Sequence, residues 1–90
     1  MFKMGDICVI VDIGRNSSHH PHKHLFIGKR VKFAEYTHPV VICNGFIQCE
    51  MYAQEEIRLP SRVIFKGQRF LMCSVKLQKI GSSGGNVIYM

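Results

Sequence analysis

Tryptophan is absent from the sequence and acidic residues are scarce, with six Asp and Glu against twelve Lys and Arg. A histidine acting as a general base needs an orienting carboxylate beside it, and few are on hand. The chain also has no G-x-S-x-G elbow, Walker loop or H-E-x-x-H helix. These gaps point away from an enzyme and from a bound cofactor. No long apolar run is present: Ile7 to Val11 spans five residues before Asp12 ends it. A signal-peptide core needs at least about 7 apolar residues, and a membrane-spanning helix about 20. A cytoplasmic protein with no membrane partner is therefore expected. The four cysteines, at positions 8, 43, 49 and 73, include no C-x-x-C pair. That spacing matches neither a zinc framework nor a dense disulfide scaffold, so they read as free thiols used as small apolar residues.

What remains is a 90-residue chain, 47% apolar and 20% charged. It is too apolar for an ordinary disordered tail, and a chain this short builds one modest core, burying little more than about 60% of its unfolded surface. Period-two alternation dominates, which predicts strands. In Asp6 to Ile13, the residues Ile7, Val9, Val11 and Ile13 share one side, taken as the core face, and Asp6, Cys8, Ile10 and Asp12 the other. A second strand is predicted over Lys29 to Tyr36, where Val31 and Phe33 alternate with Arg30, Lys32 and Ala34 after a bend at Gly28.

Between Val40 and Tyr52 the pair Asn44-Gly45 predicts a hairpin with a type I′ turn, because these residues tolerate positive φ. Cys43 then faces Phe46, Ile42 faces Ile47 and Val40 faces Cys49. The register gives one apolar face of Val40, Ile42, Ile47, Cys49 and Met51, and sends Cys43 to the other. After Leu59-Pro60, residues Ser61 to Phe65, a Lys66-Gly67 turn and Arg69 to Ile80 read as two more strands and a second hairpin. In the last of these Leu71, Cys73, Val75 and Leu77 share a face, and period two fits them better than a helix does. Residues 1–80 thus form a single β domain. Residues 81–90 read as a flexible Gly/Ser-rich tail, with Val87 to Met90 added to a sheet edge as the alternative.

Laid out this way, Phe2-Lys3-Met4-Gly5-Asp6-Ile7-Cys8-Val9-Ile10-Val11, followed after a polar loop by Ile27-Gly28-Lys29-Arg30-Val31-Lys32-Phe33, resembles the SH3-like barrel pattern. There a Gly-Asp pair leads into the first strand and a Gly-Lys pair into the second. The resemblance covers about residues 2–60 and takes Glu56-Ile57-Arg58-Leu59 as the short closing strand. It implies an all-β, partly open five-stranded barrel with the segment after Pro60 as an added C-terminal hairpin or strand. Such domains occur among small phage and bacterial accessory proteins and among KOW-type nucleic-acid-binding modules.

Charge is unevenly spread: residues 1–56 hold six basic and six acidic residues, while 57–90 hold six basic and none acidic. Arg58, Arg62, Lys66, Arg69, Lys76 and Lys79 are therefore candidates for a surface that attracts an acidic protein face or phosphates. Lys29, Arg30 and Lys32 extend the set. Tyr36 and Tyr52 are candidates for partner contacts, while Phe33 reads as core. Four of the five histidines, His19, His20, His22 and His24, crowd into the first loop. Short His-rich tracts chelate metals, but Gly, Asn, Ser and Pro around this one do not fix a ligand geometry. A partner-contacting loop is expected, with no dedicated metal. The function expected is that of a non-enzymatic binding protein, docking on an acidic protein surface to modulate or inhibit it. RNA or DNA binding by the basic third is the second reading.

Overall fold

The computed structural model describes residues 1–82. Its elements are β1 (Asp6–Ile13), a 3-10 turn (His20–His22), the single-turn helix α1 (Lys23–Phe26), β2 (Arg30–Tyr36), β3 (Ile42–Cys43), β4 (Phe46–Ala53), β5 (Ile57–Arg58), β6 (Val63–Ile64) and β7 (Arg69–Ser82). Among the described residues no helix is long and apolar enough to cross a membrane. The fold is all-β apart from those two helical turns.

Antiparallel pairings link β1 to β2, β2 to β4, β4 to β7 and β7 back to β1. They form a partial ring. β1 and β2 meet only at Ile7↔Lys32, Cys8↔Val31 and Val9↔Arg30. Beyond them Ile10 donates its N–H to the Lys29 carbonyl and accepts from Gly28 N–H, so the chain leading into β2 replaces the ladder. β5 and β6 pair with each other in a separate two-stranded sheet.

That topology corrects two expectations. Residues 56–59 do not close the sheet, because β5 finds its partner in β6. The segment after Pro60 is not a hairpin added outside either: β7 pairs through its first half with β4 and through its second with β1. Its ladder runs on through Gly81 and Ser82, opposite Ile7 and Asp6. The tail beyond, residues 83–90 with Val87 to Met90, lies outside the described residues.

The core face of β1 is the reverse of the one expected. Cys8 and Ile10 are buried, as is Ile13, while Val11 is exposed. Both faces of this strand are apolar, so alternation alone allows two answers. The choice is made at the ends, where Asp6 turns inward, accepts the Lys3 N–H at 2.8 Å and meets Lys79 Nζ at 3.4 Å. A shift in register between Ile10 and Asp12 then brings Ile13 back to the inside.

The Asn44-Gly45 turn forms as expected, with φ of 53° and 83°, and pairs Ile42 with Ile47 and Cys43 with Phe46. Ile47, Cys49 and Met51 are buried. Val40 and Ile42 are not, because Cys49 pairs with Tyr36 instead of Val40 and the hairpin overhangs the core. In β7 the inward residues are Phe70, Met72, Val75 and Leu77, with Leu71 and Cys73 exposed. Between Ile47↔Val75 and Cys49↔Met72 one extra residue is inserted on β7, which flips the face midway. Of the cysteines, only Cys8 and Cys49 act as core residues; Cys43 and Cys73 are exposed. Burial pushes the Cys8 thiol up to about 11 and the Cys49 thiol to about 12, so both stay protonated and inert.

Candidate functional site

The histidine tract is built into the fold. Gly14 N–H donates to the Ser74 carbonyl at 3.1 Å, and Ser17, buried, donates its hydroxyl to Met72 Sδ and accepts the His19 N–H. Pro21, in the first turn, favours helical backbone there, and the 3-10 turn leads straight into α1. α1 delivers Phe26, with no exposed surface, into the core, where its ring lies 6.5 Å from that of Phe70. The His19 ring packs on Phe26 with centroids 5.0 Å apart. The segment thus packs against β1 and β5. Phe26 was not anticipated, though Pro21 followed by the apolar Leu25, Phe26 and Ile27 was the available sign.

Burial pushes the His19 imidazole below its ordinary value of 6.5, and the neighbouring charges of Arg62 and His22 push the same way. The fold favours the neutral ring, so the associated stability is present above pH 6.5 and is lost as pH falls through the lowered folded value. The urea midpoint is expected to drop between about pH 7.5 and about pH 5.5. His19→Leu, which keeps packing on Phe26, should shrink that drop; equal pH dependence in the two proteins would remove His19 as its cause. The other tract histidines sit nearer solvent, with His20 half-buried and His22 and His24 exposed. His38 Nε2 lies 3.8 Å from Glu35. Among the described residues no three His, Cys, Asp or Glu side chains converge as a metal site would require.

All six acids have cationic partners. Asp6 faces Lys79 and Asp12 faces Lys23 at 3.7 Å. Glu56 binds Arg58 at 2.6 Å, and Glu55 lies against both Lys29 and Arg30. The Arg30 backbone N–H is the largest influence holding the Glu55 carboxyl below its usual range. Arg69 reaches Glu50 and Glu35 at 2.6 Å each and Tyr52 Oη at 3.0 Å, which ties β7, β4 and β2 together on the outer face. The cations without an acidic partner among the described residues are Lys3, Arg15, Lys32, Arg62, Lys66 and Lys76. The excess positive charge is therefore not confined to the last third in space.

The tyrosines are engaged as well. Tyr36 is half-buried, edge-on to Phe33 at 4.9 Å, and its hydroxyl accepts the Phe2 N–H. Tyr52 is covered by Lys32 at 5.7 Å and Arg69 at 5.5 Å. Lys76 lies over the Phe46 ring at 4.8 Å.

Three expected residues from distant stretches do meet. Between α1 and β5 lies an open groove of about 440 Å³ lined by His24, Leu25, Ile27, Lys29, Glu56 and Arg58. Its size falls within the range of ligand-binding clefts. The His-rich segment and the chain running on to Lys29 supply one wall, and Glu56 and Arg58 the other. Leu25, Ile27 and Glu56 complete it and were not singled out from the sequence, because their meeting with Arg58 depends on how the β5–β6 pair docks. A lysine, an arginine and a histidine beside two aliphatic side chains can hold a carboxylate next to an apolar group. The groove's own glutamate on Arg58 shows that geometry in miniature. No family model matches the chain, and neither a curated protein nor a solved structure does.

Proposed function

We propose that this protein is a non-enzymatic binding domain that takes an acidic segment of a protein partner into the groove between α1 and β5, and thereby modulates or inhibits that partner. The observation that carries the reading is the convergence of His24, Lys29 and Arg58 on one groove beside Leu25 and Ile27. Lys29 and Arg58 are already in contact with Glu55 and Glu56, so a partner's carboxylates would extend an existing pattern. The net charge of +6 adds long-range attraction and speeds encounter with an acidic surface. Ile27, 41% exposed, offers an apolar contact that charge alone would not. The SH3-like resemblance supports the same reading, by analogy with small phage or bacterial accessory proteins that act on a host protein in the cytoplasm; fold likeness alone does not fix function.

The test is a titration with a peptide that alternates Glu and Leu, followed by fluorescence anisotropy. Reversing both groove cations, Lys29→Glu with Arg58→Glu, is expected to weaken binding by about 10-fold or more. Lys3→Glu, outside the groove, should change it little. Equal loss from the two proteins would mean that overall charge, not the groove, holds the peptide.

A further inference from the structure

Among the described residues Phe65 is the one Phe or Tyr side chain that faces solvent, at 61% exposure. A single exposed apolar side chain is ordinary; its setting is not. Gln68 N–H donates to the Phe65 carbonyl at 2.9 Å, and Phe65 N–H donates to Gln68 Oε1 at 3.1 Å. Gly67 takes a positive φ of 88° and donates to the Ala53 carbonyl, while Ala53 N–H donates to the Gln68 carbonyl. The backbone at the ring is thus fastened to the end of β4. Ile57 and Ile64, paired and fully buried, anchor the neighbouring two-stranded sheet, and alternation turns Arg58, Val63 and Phe65 outward.

The charges that flank the ring in the chain are positive, and Glu56, next to Ile57 on the facing strand, is paired with Arg58. Arg62 and Lys66 flank Phe65 in the chain, and neither has an acidic partner among the described residues. No Asp or Glu occurs after Glu56. From residue 62 to residue 66 the chain spans at most about 14 Å, so both cations can act on one bound strand. An acidic protein face would be met by the charges alone. A ring held on a rigid turn adds a flat π surface, which is what a nucleobase uses.

We propose that this tip binds single-stranded nucleic acid, one base stacking on Phe65 while Arg62 and Lys66 contact phosphates on either side. Stacking and phosphate contact read no base edges, so little sequence preference is expected. The site adjoins the peptide groove, whose Arg58 pairs with Val63, but stands on different residues.

The test is anisotropy with labelled oligo-U, oligo-dT and a duplex of equal length, at about 50 and about 200 mM salt. Both single strands should bind more tightly than the duplex. Phe65→Ala should weaken single-strand binding about 5- to 150-fold, the loss of one stacked base, with an unchanged urea midpoint, since the ring packs against little. Phe65→Trp should retain binding and show quenched fluorescence on addition of strand. Arg62→Ala and Lys66→Ala should each lower the slope of log affinity against log salt by about 0.7. No binding at the lower salt, equal binding of duplex, or full binding by Phe65→Ala would each overturn the proposal. The groove reading is scored on the Lys29 and Arg58 variants with peptide, so either reading can fail alone.

Discussion

Phe26→Ala is expected to cost about 3–5 kcal/mol of stability, the usual range for emptying a buried Phe site. Two features place it there. The ring has no exposed surface, and it touches both Phe70 of β7 and His19 of its own segment. A domain of this size has about 5–13 kcal/mol in total, so the variant would be marginal or unfolded at body temperature. The comparison is urea unfolding of the wild type, Phe26→Ala and Ile27→Ala. Ile27, on the adjacent position but 41% exposed, should lose far less. A loss under about 1 kcal/mol for Phe26→Ala would mean that the histidine segment is not docked on the core.

Gly14→Ala is expected to cost about 1–3 kcal/mol through crowding. A Cβ at this position would collide with Ser74 Oγ and stand 3.1 Å from Ser74 Cβ and 3.4 Å from Phe46 Cδ1. Ser74 is buried there because the inserted residue in β7 turns it inward beside Val75. The same glycine donates to the Ser74 carbonyl and so extends the β1–β7 ladder one step past Ile13. Ser74→Gly removes the obstructing side chain and should recover most of the loss. Energies of the single and double variants should therefore fail to add, by a margin comparable to the Gly14→Ala cost itself. Simple additivity would show that Gly14 is required for some other reason.

The parts of this fold that were legible in the sequence are those set by local chemistry. Asn44-Gly45 carries its own φ preference, and the register of Ile42 with Ile47 follows from it. The strands β2 and β7 were found because their alternation is strong, and Phe33 was placed in the core correctly. Period two says which residues share a face, but not which face is inside when both are apolar. That is why β1 was read inverted and β7 only half right, its face changing at an inserted residue that no local signal marks. Ring pairing is made of contacts across the chain, whereas β5 and β6 meet locally, across the short turn at Pro60, which reads as a break in the sequence. Lys29, Arg58 and His24 were recognisable one at a time; that they share a groove was not. Tyr36 and Arg69 likewise carry no sequence mark of the Phe2 amide or the two glutamates that occupy them.

The division of β7 between two neighbours has a bearing on how the molecule is made. β1 is synthesised well before its long partner on one side, which exists only once residues 75–82 have been made. At about 5–20 residues per second that interval lasts several seconds. Until then the nascent chain presents one open edge on β1 and another on β4, each an apolar template for mispairing. Ring formation thus waits for the second half of β7, and the chain before that point is a species in which a chaperone would find something to hold.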